Sequence, residues 1–339
     1  VELSGSQIVI EELKANGVEI AFGIPGGAIM PFYDELQRSK FPHILTRHEQ
    51  GATHMADGYA RVSGKVAAVV TTSGPGATNT ITGLCNALMD SVPMIVITGQ
   101  VATPAIGTDA FQEADTYGCT LPVTKHNWLV KDPRDLQNVV REAIRVATTG
   151  RPGPVVIDIP KDVQIATAEY NPQKVTKVAP SAEPIFQMPE PDAEAIDRLI
   201  EAIGHSEKPI IMAGAGILKA GASTELTEFA RRTGIPVINT LLGLGGFPGT
   251  DPLFLGMPGM HGTAYANMAL CECDLLINLG GRFDDRVTGK VGSFATNAVI
   301  AHVDIDAAEL GKRVRTHIPI LANVRDVLLL LNVQVKKKE

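Results

Sequence analysis

The sequence has few aromatic residues, few cysteines and no long apolar segment. Aromatic residues make up 5% of the 339 residues and charged residues 20%. No run of eighteen or more apolar residues occurs, so we expect no membrane-spanning segment. The formal net charge of −7 argues against a nucleic-acid partner, because such binding needs a concentrated basic face. The basic run at 336–338 is interpreted as a solvated tail end.

Cysteine usage does not predict a metal site. Cys271 and Cys273 bracket one residue in an apolar stretch, and no second cysteine pair or nearby histidine pair completes a zinc site. With Cys85 and Cys119, they are predicted to be buried thiols in a reducing compartment. Residues 1–7 are neither Arg-rich nor an apolar signal, although a transit peptide removed earlier would leave the same start.

Apolar stretches of strand length alternate with helix-like segments through most of the chain. The runs at 65–72, 94–99 and 155–159 are nearly continuous in Val, Ile and Ala, which is typical of parallel strands covered on both faces. A chain of this length is too long for one ordinary core. We therefore predict an α/β protein with two doubly wound parallel-sheet domains, the second of them Rossmann-like.

A stretch with little periodicity separates the two α/β regions. Five prolines lie there, and we interpret it as a linker: Pro172, Pro180, Pro184, Pro189 and Pro191. The predicted division is a first domain at 1–168, the linker at 169–190 and a second domain at 191–339. Predicted helices are 6–16, 28–37, 49–62, 78–90, 193–203, 224–233, 264–271, a short one near 307, and 325–331. Predicted strands are 20–23, 43–46, 65–72, 94–99, 155–159, 209–213, 236–240, 275–280 and 298–304.

Two candidate sites in the first half lie where strands are predicted to end. Glu49 follows a strand and opens a helix, so it is either a functional carboxylate or a charge favoured there by the helix dipole. Residues 71–79 connect a predicted strand, through a glycine turn, to a predicted hydroxyl-capped helix. Exposed N–H groups at such a turn can hold an anion or a polar ring, but the pattern equally fits a tight strand-to-helix connection. It is neither a Walker loop nor GxGxxG.

Three further stretches suggest ligand contact. The segment 99–115 is long, apolar and rich in Phe and Gln, which favours a functional loop. Arg282 and Arg286 follow a predicted strand and suit a phosphate or pyrophosphate, or else form a local ion-pair cluster with aspartates. Asp304 ends another predicted strand, where an acid either holds a ribose hydroxyl or caps the next segment.

Six stretches occur in the order FGIPGGAIMPFYDEL, RHEQGATHMADGYAR, TSGPGATN, GTDAFQEAD, RPGPVVIDIPKD and GRFDDRVTG. Taken together, they resemble the catalytic subunit of acetohydroxyacid synthase, a thiamine-diphosphate enzyme that also binds FAD. RHEQGA and SGPGATN recur across thiamine-diphosphate enzymes. GTDAFQEAD and GRFDDRVTG are narrower, and they indicate the FAD-containing anabolic synthase rather than its FAD-free catabolic relative.

The resemblance implies a thiamine-diphosphate pyrimidine domain followed by a central FAD domain. It implies decarboxylation of pyruvate and transfer of the two-carbon unit to pyruvate or 2-oxobutyrate. The products, 2-acetolactate or 2-aceto-2-hydroxybutyrate, lead to valine, leucine and isoleucine. Glu49 matches the glutamate that bonds the aminopyrimidine ring, and Ser73, Gly74 and Asn79 match the turn that lines its pocket.

Further residues carry over from the same resemblance. Phe111 and Gln112 match residues near the reacting centre, with Gln112 bonding a substrate or intermediate oxygen, and Lys161 matches a lysine at the substrate-channel mouth. Ala102 stands where many members have proline, which implies weakened sensitivity to sulfonylurea herbicides. The flavin is expected to be mainly structural, since the net reaction is not a redox reaction. The implied FAD contacts are Arg151, Gly214, Ala215, Gly216, Thr240, Leu241, His261, Gly262, Gly281, Arg282, Asp284, Arg286, Asp304, Ile305 and Asn323.

The resemblance also carries expectations about partners. The family's third domain holds Mg²⁺ and the diphosphate through a Gly-Asp-Gly to Asn motif, and nothing after Asn332 resembles it. Family sites form between the first domain of one subunit and the third domain of its partner. We therefore expect a homodimer or homotetramer with shared active sites, a separate regulatory small subunit, and no activity from this chain alone.

Two alternatives and a location complete the expectations. The alternatives are another FAD-containing thiamine-diphosphate carboligase or oxidase, and a non-catalytic FAD-binding fragment. The expected location is the cytoplasm in a bacterium, and the plastid or mitochondrion in a eukaryote.

Overall fold

The computed structural model describes residues 1–172 and 188–335. Residues 1–172 belong to one compact unit and residues 188–335 to another. No helix in these two ranges has the length and apolar character needed to cross a membrane. The greater part of the predicted linker, and the basic run at 336–338, lie outside the described residues.

The first unit is built on a six-stranded sheet in the order β3-β2-β4-β5-β7-β6, with every neighbouring pair parallel. The strands of this unit are β1 Glu2–Ser4, β2 Ala21–Gly23, β3 His43–Leu45, β4 Ala67–Thr71, β5 Met94–Gln100, β6 His126–Leu129, β7 Pro154–Pro160 and β8 Thr167–Glu169. Of these, β1 and β8 form a separate two-stranded sheet. The helices of this unit are α1 Gly5–Ala15, α2 Met30–Arg38, α3 Glu49–Ser63, α4 Pro75–Thr78, α5 Ile81–Met89, α6 Thr116–Thr120, α7 Leu136–Thr148 and α8 Lys161–Ile165.

Alternation along the central strands explains why helices cover both faces of this sheet. Ala68 and Val70 of β4 pack into a core with α1, α2 and α7. Ala67 and Val69 of the same strand pack into a second core with α3 and α5. Successive strand residues point to opposite faces, so a strand that is apolar at every position must be covered twice.

The second unit repeats the plan with a five-stranded parallel sheet in the order β10-β9-β11-β12-β13. Its strands are β9 Pro209–Ala213, β10 Val237–Asn239, β11 Leu275–Leu279, β12 Val299–Asp304 and β13 Ile318–Leu321. Its helices are α9 Ala193–His205, α10 Ala215–Lys219, α11 Ser223–Thr233, α12 Ala264–Glu272, α13 Asp285–Thr288 and α14 Val324–Gln334. The predicted fold class, two doubly wound α/β units, is confirmed.

Several local predictions are wrong. The helix predicted at 78–90 begins at Pro75 and is divided into α4 and α5; Gly74 is its N-cap, without a side-chain hydrogen bond, so it is not hydroxyl-capped. The segment near 307 forms turns rather than a helix. Strands β1 and β8 pair antiparallel, outside the predicted parallel pattern. These short segments lack the periodicity that marked the longer ones.

The cysteine prediction is also wrong for most of the residues. Cys85, Cys119 and Cys271 are exposed, and Cys273 alone of the four is buried. Each exposed cysteine lies in a helix whose opposite face packs on a sheet, and the sequence pattern did not distinguish the two faces. Burial raises the pKa of the Cys273 thiol to about 11.

Candidate active site

The carboxyl edge of the first sheet has a switch point between β2 and β4. Helix α2, which follows β2, packs on one face of the sheet, and α5, which follows β4 after α4, packs on the other. The chain therefore diverges there, and the loops 24–29 and 72–74 follow the two strands. Ligands of open parallel sheets bind at such switch points.

Glu49 lies at this edge as the first residue of α3. His48 caps the helix, since its Nδ1 accepts a hydrogen bond from the Gln50 amide at 3.1 Å. Glu49 Oε2 accepts a hydrogen bond from Asn79 Nδ2 at 2.9 Å. Oε1 lies 3.4 Å from the point that a Cβ on Gly76 would occupy. The fold thus brings together a carboxylate and an amide that are 30 positions apart in the sequence.

The glycine turn after β4 is packed too tightly for side chains. Gly74 has φ +56°, and a Cβ there would lie 2.4 Å from the carbonyl oxygen of Gln112. A Cβ on Gly76 would lie 2.7 Å from Thr72 Cγ2. Thr72 also holds the loop that follows β2, because its Oγ1 accepts a hydrogen bond from the Ala28 amide at 3.3 Å. Thr72 belongs to the candidate stretch 71–79, but no individual role was predicted for it.

The loop 101–115 brings Gln112 to this turn. The Glu113 carboxylate braces the loop by accepting hydrogen bonds from the amides of Gly107 and Ala110. These bonds lower the pKa of Glu113, the Gly107 amide contributing most. Gln112 adopts φ +56°, a left-handed conformation that costs a non-glycine residue energy and occurs often at functional sites. Phe111, the residue before it, is 87% exposed.

Ala102 lies near the start of that loop, and Lys161 lies in α8, which contacts it. Lys161 is the exposed first residue of α8. The next residue, Asp162, accepts hydrogen bonds from the amide and the hydroxyl of Thr103 through its Oδ1, at 2.9 and 3.2 Å. Ala102 has φ −55°, a value that proline also adopts.

A buried carboxyl lies beneath the same loop. Asp158, in β7, is 1% exposed. Its Oδ1 accepts a hydrogen bond from Thr98 Oγ1 at 2.6 Å, and its Oδ2 accepts one from Gln100 Nε2 at 3.0 Å. Burial raises its pKa to about 7, against the opposing effect of the two hydrogen bonds and with a smaller contribution from the charge of Asp115. Sequence reasoning missed this residue, although an acid inside the apolar run VVIDI was a visible signal.

We expect Asp158→Asn to change how stability depends on pH. The folded pKa lies above the unfolded value of about 4, so the native state binds more protons between these values. The contribution of Asp158 to stability is therefore present at low pH and is lost as pH rises to about 7, to a total on the order of 4 kcal/mol. Urea unfolding from pH 4 to 8 measures it. Trp128, the single tryptophan, is a probe in β6 of the first unit.

The wild-type chain should lose stability relative to Asp158→Asn as pH rises through this window. Comparing the two chains removes the contributions of all other carboxyl groups. Parallel pH profiles would show that the Asp158 carboxyl does not titrate between pH 4 and 8.

The second unit has its own switch point, between β9 and β11. The loops after these strands contact each other backbone to backbone. A Cβ on Gly214 would lie 2.2 Å from the Gly280 carbonyl oxygen, and a Cβ on Gly216 would lie 2.7 Å from Gly280 Cα. Glycines at such a turn permit a pyrophosphate to approach the backbone closely. The predicted FAD residues 214–216 and 281–282 meet here.

Buried side chains hold the Gly281 carbonyl in place. Asn278 Nδ2 donates to it at 2.6 Å, and His302 Nε2 lies 2.9 Å from it. Both side chains are fully buried. His302 Nδ1 and Asn278 Oδ1 have no hydrogen-bond partner among the described residues. The contacts with the Gly281 carbonyl fix the backbone at the start of the loop that follows β11.

The other predicted FAD residues are spread over both units. Asp284 caps α13 and Asn323 caps α14, while Asp304 Oδ1 accepts a hydrogen bond from the Asp306 amide at 2.9 Å. These bonds fit the capping alternative and leave the ligand role untested. Arg151 lies in the first unit, where its Nε donates to Ser91 Oγ at 2.8 Å. Arg286 lies in α13, and the remaining predicted positions lie in the loops and short turns of the second unit: Thr240, Leu241, His261, Gly262 and Ile305.

Comparisons with known proteins agree with this architecture. The family model for the thiamine pyrophosphate enzyme N-terminal TPP binding domain matches residues 3–119, and the model for the central domain of the same enzymes matches residues 196–331. The two units are thus the first two domains of a thiamine pyrophosphate (thiamine diphosphate) enzyme.

Large subunits of acetolactate synthase are similar over nearly the whole chain. The one from Corynebacterium glutamicum is 50% identical over 96% of this chain and 52% of its own length. The one from Lactococcus lactis is 51% identical over 96% and 56%. A probable large subunit from Methanocaldococcus jannaschii is 49% identical over 99% and 58%. The chain belongs to the acetolactate synthase large-subunit family, and it spans about half the length of these relatives.

Proposed function

We propose that this chain forms the pyrimidine-binding and central domains of an acetolactate (acetohydroxyacid) synthase catalytic subunit. The proposed reaction decarboxylates pyruvate and transfers the two-carbon unit to pyruvate or 2-oxobutyrate. The observation that carries the proposal is the Glu49 carboxylate, bonded to Asn79 and facing the glycine turn at the switch point. The proposed boundaries are 1–168, 169–190 and 191–339.

The residues at the first switch point fit an aminopyrimidine ring. Thiamine diphosphate, when bound, supplies the electron sink for decarboxylation of a 2-oxo acid. Glu49 would hold a proton against a ring nitrogen, while Asn79 fixes the orientation of its carboxylate. Ser73 and Gly74 would line the ring, since they form the turn that leads from β4 to Asn79.

The substrate side of the proposal rests on the loop 101–115 and on α8. Gln112 would donate a hydrogen bond to a substrate oxygen, and Phe111 would exclude water once a partner surface covers it. Lys161 is exposed at the start of α8, and its charge would attract the carboxylate of a 2-oxo acid.

For the second unit we propose FAD. The support is the contact between the glycine loops at its switch point. Arg282 and Arg286 would pair with the pyrophosphate, and Asp304 with a ribose hydroxyl. We assign no Mg²⁺ ligand within the described residues, where no group of three or more metal-binding side chains occurs.

The proposal extends to partners and location. The exposure of Phe111 is consistent with active sites shared in a homodimer or homotetramer, and a regulatory small subunit is a further proposed partner. The proposed compartment is the bacterial cytoplasm, or a plastid or mitochondrion in a eukaryote.

Flavin absorbance and intact mass of the purified protein test the proposal first, followed by an acetolactate assay. Because the chain spans about half the length of its relatives, the assay uses a full-length subunit that contains this sequence. Flavin bands with acetolactate formation are expected from that polypeptide. Flavin without activity there would favour a non-catalytic FAD-binding protein. Absence of flavin would contradict the anabolic assignment.

Gly214→Ala is expected to weaken FAD binding at least ten-fold. The added Cβ would lie 2.2 Å from the Gly280 carbonyl oxygen and force the two loops apart; overpacking of this kind costs about 1–3 kcal/mol. Flavin titration by fluorescence quenching measures the change. Gly204→Ala is the matched control, because a Cβ there meets no atom within 4 Å. Equal affinities for the two variants would argue against a flavin at this switch point.

A further inference from the structure

One buried side chain contacts both ends of the loop that carries Phe111 and Gln112. Gln100 is the last residue of β5 and is 3% exposed. Its Oε1 accepts a hydrogen bond from the Val101 amide at 2.9 Å, where the loop begins. Its Nε2 donates to the Ala114 carbonyl at 3.0 Å, where the loop returns to the sheet.

Asp158 fixes the orientation of the Gln100 amide. The second Nε2 hydrogen of Gln100 is donated to Asp158 Oδ2 at 3.0 Å. Thr98, two residues before Gln100 on β5 and opposite Asp158 in the ladder, donates to Oδ1. Both hydrogens and the oxygen of the Gln100 amide are therefore engaged, and reversing the amide would break all three bonds. A buried polar network with every member paired specifies one conformation.

The loop between these ends is stiff enough to transmit their position. Glu113 accepts hydrogen bonds from the amides of Gly107 and Ala110 within the loop. Asp115 caps the following helix by accepting from the Gly118 amide at 2.9 Å. Gln112 lies against Gly74 and adopts a left-handed backbone conformation. An unconstrained loop would relax from this conformation, because it costs a non-glycine residue energy. Fixing the two ends therefore fixes Gln112.

We propose that Gln100, oriented by Asp158, is a positioning residue that latches the loop 101–115 to the sheet edge and so holds Gln112 at the glycine turn. The latch itself is a property of the folded first unit. Its consequence for catalysis rests on the proposed role of Gln112 towards the 2-oxo acid.

Hydrogen exchange of the full chain tests the latch directly. Gln100→Met keeps the side-chain size and removes all three bonds. We expect the amides of Thr103, Gly107, Ala110 and Glu113, none of which bonds to Gln100, to exchange at least ten-fold faster, while the strands β4 and β5 keep their protection. Unchanged exchange in the loop would overturn the proposal, as would an equal increase throughout the unit.

A matched control exists elsewhere in the same unit. Gln137 is also buried, and its Nε2 also donates to a carboxylate, that of Glu12, and to a backbone carbonyl, that of Asn171. Gln137→Met should leave exchange in the loop 101–115 unchanged. Faster loop exchange in this control would assign the effect to general loss of stability and overturn the latch.

Two further variants cover the case in which Gln100→Met does not fold. Gln100→Glu keeps the acceptor for Val101 and places a second carboxylate beside Asp158, so the loop should exchange faster. Adding Asp158→Asn supplies an amide donor to that carboxylate and should restore at least part of the protection. Failure of the double variant to recover any protection would contradict the assigned role of Asp158.

Kinetics of the complete subunit separate the latch from the proposed function. Gln100→Met should raise KM for pyruvate and lower kcat, as Gln112→Ala should. In the double variant Gln100→Met should add little to the effect of Gln112→Ala, because both substitutions act through the same contact between Gln112 and the substrate. If loop exchange rises but Gln112→Ala leaves acetolactate formation unchanged, the latch stands and the proposed role of Gln112 fails. If loop exchange does not rise, the latch fails whatever the kinetics show.

Discussion

Glu49→Gln is expected to lower acetolactate formation by roughly 100- to 10,000-fold, the usual contribution of a positioned proton-transfer group. The change keeps the side-chain shape and the contact with Asn79, since an amide oxygen still accepts from Nδ2. It removes the charge that would hold a proton at the aminopyrimidine ring. Initial rates of the complete subunit at saturating pyruvate and thiamine diphosphate measure the effect.

The effect must be separated from the loss of a negative charge at a helix start. Glu194 lies exposed in the first turn of α9, in the second unit. Glu194→Gln therefore removes a comparable interaction with the helix dipole, about 0.3–1 kcal/mol, in the other unit. It should leave the rate unchanged. A Glu49→Gln enzyme with nearly wild-type rate would remove the carboxylate from the proposed chemistry and leave only its alternative role at the helix start.

The second large effect is expected on stability. Glu12 is fully buried beneath α7, and its carboxylate pairs with Arg141 through Nε and Nη2, both at 2.8 Å. Arg141→Ala would leave this charge buried without its cation. Removing one partner of a buried pair costs about 3–5 kcal/mol, so the midpoint of urea unfolding, followed by Trp128 fluorescence, should fall markedly.

Two comparisons make this prediction specific. Arg38→Ala removes a surface pair with Asp34 in which both side chains are about two-thirds exposed, and it should cost no more than about 1 kcal/mol. Replacing both partners, Glu12→Leu with Arg141→Met, should recover most of the stability lost in Arg141→Ala, because no charge is then left unpaired. A double variant as unstable as the single one would show that shape, rather than charge, is what Arg141 supplies.

The sequence predicted the longer elements and the motif positions well. Glu49 at the start of a helix, the glycine turn at Gly74 and the glycines at 214–216 all lie where strands end, as expected from the pattern. The spacing of apolar residues is a local property, so it can be read from the sequence without a structure. The assignments of ligands to these residues remain predictions, since nothing yet tests them residue by residue.

The features that were missed depend on distant partners. The strand β6 is short and partly polar, and α7, though strongly amphipathic, was not recognised. Asp158 was visible as an acid inside an apolar run and Gln100 as a polar residue at a strand end, but their pairing required the register of β5 with β7. The exposure of three cysteines depends likewise on which helix face meets a sheet.

The sequence alone thus determined the class of the protein, its two α/β units and its family, because periodicity and motif order are written along the chain. The tertiary structure alone decided which residues meet: Glu49 with Asn79, Gln112 with Gly74, and Gly214 with Gly280. These contacts arise where parallel strands end at one edge of a sheet and the connections diverge to opposite faces. Strand order creates that geometry, and strand order depends on pairing between segments far apart in the chain.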